Sequence, residues 1–527
     1  MERISFLFAT CLAFFLIIDR QPVSAQTSYQ KTYSNGEYLV GNDIGFYNGF
    51  YYIAGASKTN THSRLFVEKK SVSGDSIWAY CFNASISVEG RRIISRNGYL
   101  YVAANSYATS GITKGLLAKI LENGEIVWSR SFGTDESQVF HDAMMPDDST
   151  IVVVGVVTGT GAGQKDIIVS VFDTSGAVRW SKTYGTTANE QGNSIIKTTD
   201  TCFVIAGFTD FFDPSGDMLA MKISMSGTFQ WAITFNIIHP GSGSTYFSDQ
   251  SAADVMETLT HFLVVTGSTK TGEYTPTDQQ WSPVILKLGL DGSLIWSHDY
   301  YVNSGNNKAC QISETPDGSY VVLNSMSNRS SVMFKTNTSG NTEWCHYYRP
   351  GNVSGYNCST SAMCLSNGAF VITGSRNSQV DTVLYLVKTN SAGLSGCYDF
   401  SLPGDPGTMN PAMNPVTLTS TDVTGNSNFQ LIMQNMHTTP YILCELPTGI
   451  GTKEAAGTIY PNPVTDYLFL DRIAGITNYV LFDPSGKELA TGDSKIIDFR
   501  NFRPGLYVLK LITVKETSSY KVIKTQY

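Results

Sequence analysis

The chain has 527 residues and a formal net charge of −8, from 44 acidic and 36 basic side chains. An acidic surface is repelled by a phosphate backbone, which argues against nucleic acid as a partner. Charged residues are only 15% of the chain, glycine is abundant at 47, and aromatics reach 12%. This is the composition of a strand-and-turn protein outside the cytoplasm, long enough for a large core and a second, smaller unit.

In chain order, Arg3 precedes an apolar run at 4–18, and Val23-Ser24-Ala25 is a small-residue cleavage site. Residues 1–25 read as a secretory signal peptide. No later stretch is long and apolar enough to span a membrane. A short strand, YQKTY at 29–33, opens the mature chain.

A repeat then occupies 26–446. Its copies are SVSGDSIW (71–78), LENGEIVW (121–128), DTSGAVRW (173–180), SMSGTFQW (224–231), GLDGSLIW (289–296), NTSGNTEW (337–344) and NSAGLSGC (390–397). Glycines 74, 124, 176, 227, 292, 340 and 393 are thus spaced by 50, 52, 51, 65, 48 and 53. Four residues after each stands Trp78, Trp128, Trp180, Trp231, Trp296 or Trp344, and in the last copy Cys397. Apolar β-branched runs such as IVVVG (151–155) and IIVSVF (167–172) precede the glycine, and alternating runs such as WSKTYG (180–185) follow it. Four short strands per period of about 50 residues describe a β-propeller blade. A partial eighth unit spans 416–424, 429–437 and 441–446, lacking the strand that follows tryptophan. The segment at 29–33 resembles SKTY at 181–184 and is suited to complete it. The expectation is an all-β, eight-bladed propeller closed by pairing its two ends, with seven blades as the alternative. The glycine supplies a tight turn, and the tryptophans are expected to dock blade on blade. This repeat resembles the quinoprotein-dehydrogenase-like family, whose docking motif has the same glycine-to-tryptophan step. That family's aspartate, eight residues before tryptophan, is not matched; the third copy has Phe172 there.

The fourth interval, 65, is longer than its neighbours, with excess at 236–250 and 268–280. Both connections should emerge on one face, carrying Tyr246, Phe247, Tyr274 and Trp281 as a candidate binding surface for sugars or peptides.

A polar linker at 447–457 leads to a different module at 458–527. It contains Tyr460-Pro461-Asn462-Pro463, a turn from Asp483 to Gly486, Pro504-Gly505-Leu506-Tyr507, and a terminal Lys521-x-x-Lys524. These are short strands with proline and glycine turns, as in a small β-sandwich. The module closely resembles the C-terminal sorting domain (type A) of the type IX secretion system of Bacteroidota. That resemblance implies export to the cell surface or beyond, with the type IX machinery as partner.

Catalytic signals are sparse. The histidines form no H-E-x-x-H, and neither a G-x-S-x-G nor a phosphate-binding loop is present. Asp147-Asp148 reads as a polar turn, and so does Asp213–Asp217, whose alternative as a calcium loop lacks the alternating carboxylates such a loop carries. No catalytic residue, metal or cofactor is expected. Removing Cys11 leaves eight cysteines, of which Cys345 and Cys358 are the candidate disulfide pair. The reading is a secreted or surface-displayed binding protein of unknown extracellular ligand, a glycan or a protein. The alternative is an enzyme on the same scaffold, a polysaccharide hydrolase or lyase or a quinone-dependent dehydrogenase. Carboxylates clustered with His or Arg in the channel would favour the enzyme.

Overall fold

The computed structural model describes residues 28–446 and 464–524, except 134, 238–249, 272–279, 302–306, 327–330, 349–354, 379–381, 397–398, 402–404, 409–411, 424–425, 465, 471–475, 484–486, 504 and 514–516. The expected signal peptide and linker lie outside the described residues. The chain divides into two compact units, Ser28–Leu446 and one that holds Pro447–Tyr527.

The first unit is all β and propeller-like. Among the described residues it contains seven antiparallel sheets of five strands each. The first runs Tyr38–Tyr47, Phe50–Lys58, Ser63–Ser71, Ser76–Asn83, with Ile432–Met436 added outside. The other inner strands are Ser87–Arg96, Gln138–Asp147, Glu190–Lys197, Gln250–Glu257, Asn307–Glu314 and Gly355–Cys364. Each inner strand touches the next, and Gly355–Cys364 touches Tyr38–Tyr47, which closes the ring.

The repeated glycine turns the third strand into the fourth. Gly176 N donates to Asp173 O and Asp173 N to Ala177 O, both at 2.9 Å, and Gly176 has φ 80°. All seven copies make this turn. A side chain here would be strained, and it would also collide. A Cβ on Gly393 would lie 2.6 Å from Trp344 of the preceding sheet.

Contacts between sheets recur with the same period. The indole N–H of Trp78, Trp128 and Trp180 donates to Glu122 O, Thr174 O and Met225 O in the next sheet's turn, at 3.0, 3.2 and 3.2 Å. Four residues after tryptophan, Tyr184, Tyr300 and Tyr348 donate their hydroxyls to Gly227 O, Gly340 O and Gly393 O. Opposite every repeat tryptophan except Trp180, which faces Val171, stands a lysine. Lys119, Lys222 and Lys287 reach Thr174 O, Leu290 O and Thr338 O of the next sheet at 3.5, 2.9 and 3.3 Å. A lysine nine residues before tryptophan thus grips the neighbouring turn.

At the seam the N-terminal strand, Ser28–Ser34, pairs with Thr382–Lys388 on one side and Thr439–Leu446 on the other. Tyr29 faces Lys388 across the ladder, as tryptophan faces lysine elsewhere. Tyr33 Oη donates to Gly74 O at 2.5 Å, repeating the bond that Tyr184 makes. The strand therefore completes the seventh sheet.

The described strands do not make the expected eighth sheet. The segment expected to build it belongs to a strap that serves every sheet. Asp399–Ser401, Asp405–Thr408, Ala412–Pro415, Thr419–Asp422, Asn426–Asn428, Ile432–Met436 and Thr439–Leu446 add one outer strand each to sheets six, five, four, three, two, one and seven. The physical reason is direction. Each strap strand runs antiparallel to a fourth strand that leads towards the next sheet. One continuous segment must therefore visit the sheets in descending order. It covers edges that would otherwise present unpaired N–H and C=O groups.

In the second unit, Ile476–Phe482 lies between Glu488–Gly492 and Gly505–Thr513, with Thr517–Lys524 outside the latter. Tyr467–Phe469 pairs with Ile496–Asp498. Val464, Leu468, Leu481, Phe499, Leu509 and Val522 are among its buried core. The candidate disulfide is not formed: Cys345 is a free, buried thiol, directed into the core beside Phe334 and Val322.

Candidate functional site in the central channel

Every inner strand carries a β-bulge, for example between Gly41 and Asp43 or between Phe140 and Asp142. A bulge puts two consecutive side chains on one face and takes nearby backbone groups out of the ladder. Here the two side chains face the channel, and the freed groups bond to side chains of the preceding sheet.

The first tier donates to freed carbonyls. Asn42 Nδ2 reaches Gly90 O at 2.7 Å, Asn193 Nδ2 reaches Ala252 O at 2.7 Å, and Thr360 Oγ1 reaches Gly41 O at 2.6 Å. His141 Nδ1 lies 2.8 Å from Gly192 O, which makes it the protonated nitrogen of the neutral ring. Burial lowers the histidine's pKa. The second tier accepts from freed amides. Ile93 N, Ile195 N, Ile312 N and Ala362 N donate to Asp43, Asp142, Asp254 and Gln311 at 2.8, 3.0, 2.9 and 2.8 Å. Arg92 bridges Asp43 at 3.1 Å and Asp142 at 2.9 Å. Ser361 bonds Asp43 and Gln311, and Ser194 bonds Asp254.

This second tier lies between two cavities. One, of about 200 Å³, is lined by polar groups including Asn42, Arg91, His141, Asn193 and Thr360. It lies on the side where the connections between sheets arrive, since its residues precede the second tier along the strands. The other, of about 610 Å³, lies beyond it and is lined by Ile94, Met144, Met256 and Met363, with Glu257 and Glu314.

The electrostatics follow from burial. Asp43 is pushed up by desolvation, partly offset by Arg92. Asp254 is raised by desolvation to about 6. The guanidinium of Arg92 is held charged by Asp142 and Asp43. Each carboxylate oxygen of Asp43, Asp142 and Asp254 accepts at least one hydrogen bond. By contrast Arg91 Nε is buried without a partner, while its Nη2 bonds the Tyr107 hydroxyl at 2.9 Å.

Of the surface expected to bind, Tyr246, Phe247 and Tyr274 lie outside the described residues. Trp281 is in the strand Gln280–Leu288, its ring 4.0 Å from Lys308 Nζ. The register Gln250↔Thr269 places the strand ends that flank both long connections at one edge of the fifth sheet. In the C-terminal unit, Tyr460, Pro461, Asn462, Pro463 and Gly486 lie outside the described residues. Asp483 closes a turn by accepting from Lys487 N at 3.0 Å, and Tyr507 Oη donates to Arg503 O. Gly505 opens the strand that contains Tyr507, and the last strand carries Lys521 and Lys524.

Sequence reasoning missed the channel residues. Their signal was a polar residue before an apolar one at the same place in each repeat, preceded in five of the seven by a second polar residue: Asn42-Asp43-Ile44, Arg91-Arg92-Ile93, His141-Asp142-Ala143, Asn193-Ser194-Ile195 and Thr360-Ser361-Ala362.

No curated protein matches the chain. Among solved structures it is similar to the polysaccharide lyase Uly1, at 10% identity and TM-score 0.44, over 68% of this chain and 91% of that one. The α-L-arabinofuranosidase Arb93A of Fusarium graminearum shows 9% identity and TM-score 0.42, over 59% and 96%. Sqt1 of Chaetomium thermophilum shows 9% and 0.37, over 68% and 97%. Likeness at this level carries no argument about activity. No helix among the described residues is long and apolar enough to cross a membrane. Residues 458–525 match the family described as the secretion system C-terminal sorting domain, and the protein is accordingly secreted or surface-attached through the type IX system.

Proposed function

We propose that the first unit is a seven-bladed propeller, docked blade on blade by Trp78, Trp128, Trp180, Trp231, Trp296 and Trp344, that serves as an extracellular binding module. Its ligand enters the polar cavity from the face where the connections between sheets arrive. The observation that carries this reading is the contrast between carboxylates whose oxygens are all bonded and an arginine, Arg91, whose Nη2 meets Tyr107 and Glu89 but whose Nε meets no acceptor. The carboxylates of Asp43, Asp142 and Asp254 are used in holding inner strands together, whereas Arg91 keeps a buried N–H without an acceptor. A ligand rich in acceptors, such as an acidic glycan, satisfies that donor. Residues 458–527 act as the sorting signal, with Tyr460, Pro461, Asn462, Pro463, Asp483, Gly486, Gly505, Tyr507, Lys521 and Lys524 as its recognition features.

A glycan array probed with wild type and with Arg91→Ala tests the binding reading. Retained glycan signals in a folded Arg91→Ala protein would reject the cavity as the site. Deleting 458–527 is expected to hold the propeller in the periplasm of its host, and normal surface delivery of that truncation would reject the sorting role.

One observation favours catalysis: Asp254, raised to about 6, shares the cavity wall with Arg92 and His141. That is the composition expected of an acid–base site on a polysaccharide hydrolase or lyase. Turnover in a polysaccharide panel, abolished by Asp254→Asn in folded protein, would establish the enzyme and overturn the binding reading.

A further inference from the structure

The rim of the third and fourth sheets, on the side of the polar cavity, buries four carboxylates. Asp166, Glu190 and Asp217 are 0% exposed and Asp213 is 3% exposed. No lysine or arginine neutralises them among the described residues. Asp217 is influenced by Asp213 and Asn236, Glu190 by Thr186, Thr209 and Asp166, and Asp166 by the N–H groups of Ala162 and Gly163. Buried acids elsewhere have a cation: Glu68 pairs with Lys70 at 2.6 Å, and Asp43 and Asp142 share Arg92. Uncompensated buried charge is costly, and desolvation raises the pKa of Asp166, Glu190 and Asp217; a counter-charge would remove that cost.

The local geometry shows where it belongs. Asp217 opens the strand Asp217–Ser224, and Asn236 ends the adjacent strand Phe229–Asn236. Asn236 Nδ2 donates to Asp217 Oδ1 at 2.8 Å and to Asp213 Oδ2 at 3.1 Å. Both carboxylates therefore converge on one amide. Independently of that convergence, the second oxygen of Asp217, Oδ2, is fully buried with no hydrogen-bond partner. A buried acceptor left open beside a second carboxylate is an arrangement that a cation completes.

We propose that Asp213, Asp217 and Asn236 form a calcium site. All the donors are hard oxygens, and no thiolate or imidazole is among them, which selects calcium over zinc or copper. The amide of Asn236 presents Oδ1 instead of Nδ2 after a half-turn of its terminal group, supplying a third protein ligand. Calcium accepts irregular oxygen sets completed by backbone carbonyls and water, and extracellular modules bind it at about 10⁻⁴–10⁻³ M. An exported protein meets such concentrations. The bound ion would fasten the 210–216 connection, where Phe211 and Phe212 are exposed and lie edge to face with centroids 4.8 Å apart. In the sequence 213–217 reads as a polar turn because it lacks the alternating carboxylates of a calcium loop; the third donor, Asn236, comes from a neighbouring strand.

Thermal unfolding and equilibrium calcium binding of the full chain test the site. After chelation, calcium chloride at about 5 mM should raise the midpoint by roughly 2 °C or more, with one ion bound per chain. Asp213→Asn/Asp217→Asn should fold yet lose both effects. Should that variant fail to fold, Asn236→Ala, which keeps both carboxylates, should weaken binding about tenfold. Absence of bound calcium and of any midpoint shift in wild type overturns the proposal. So does an undiminished response in the folded variants, or an equal response to magnesium chloride alone.

Discussion

The inner and outer rims of the ring are held by different chemistry. Around the channel, neighbouring sheets are joined by side chains that bond to backbone groups freed by bulges, and three of those side chains are carboxylates gathered about Arg92. At the periphery, tryptophan, an aromatic and lysine reach the next sheet's turn, and the strap adds a backbone ladder outside every fourth strand. The inner network is desolvated and charged, so removing one member leaves its partners unsatisfied. The outer contacts are repeated and mostly uncharged, so each loss is local. Failure at the inner rim should therefore be larger per residue and sensitive to pH.

The largest effect is expected for Arg92→Ala. It leaves Asp43 and Asp142 buried without their shared cation, and breaking a buried pair in this way costs about 3–5 kcal/mol. Chemical denaturation measures it. A loss below about 1 kcal/mol would show that the second tier of channel side chains is ordinary polar surface and would break the comparison. Trp180→Ala comes next, at about 3 kcal/mol. It removes a half-buried indole from beside Gly227 and its hydrogen bond to Met225 O. If Trp180→Ala proves more damaging than Arg92→Ala, the rims have been ranked in the wrong order.

Asp254→Asn sharpens the same point through pH. The folded-state pKa of Asp254 is raised to about 6, above an unfolded value of about 3.9. As pH falls, the folded protein takes up this proton first. The resulting stability is fully present below about pH 4 and is lost as pH rises through 6. Wild type should therefore gain about 1–2 kcal/mol more than Asp254→Asn between pH 7 and pH 5. Parallel pH profiles for the two proteins would remove Asp254 as the sensitive member.

What could be read from the sequence follows the same division. The turn glycines, the tryptophans and the strand at 29–33 recur as residue types because rigid packing demands particular shapes. Tyr33 was recognisable because it repeats Tyr184. The strap was not, because a strand added to an exposed edge needs only backbone groups. Thr419–Asp422 is exposed along its whole length and carries no apolar alternation. From the sequence its strands therefore read as parts of one more repeat. The channel pairs vary in type from Asn-Asp to Arg-Arg to Thr-Ser, since any donor or acceptor of the right length can satisfy a freed amide or carbonyl. Position recurs there, and chemistry does not.

The smallest effect should come from the charged member of the outer rim. Lys119 Nζ is 3.8 Å from the centroid of Tyr99 and 3.5 Å from Thr174 O in the next sheet, and burial lowers its pKa. Lys119→Met keeps the apolar stem and removes only the cation, so the loss is confined to one cation–π contact and one long hydrogen bond. About 0.5–1 kcal/mol is expected at such a partly exposed position. A periphery governed by packing and backbone ladders predicts little change in that loss between low and high salt. A cost above about 2 kcal/mol, fading as salt is added, would mean that the outer rim is also an electrostatic lock. The division between the two rims would then disappear.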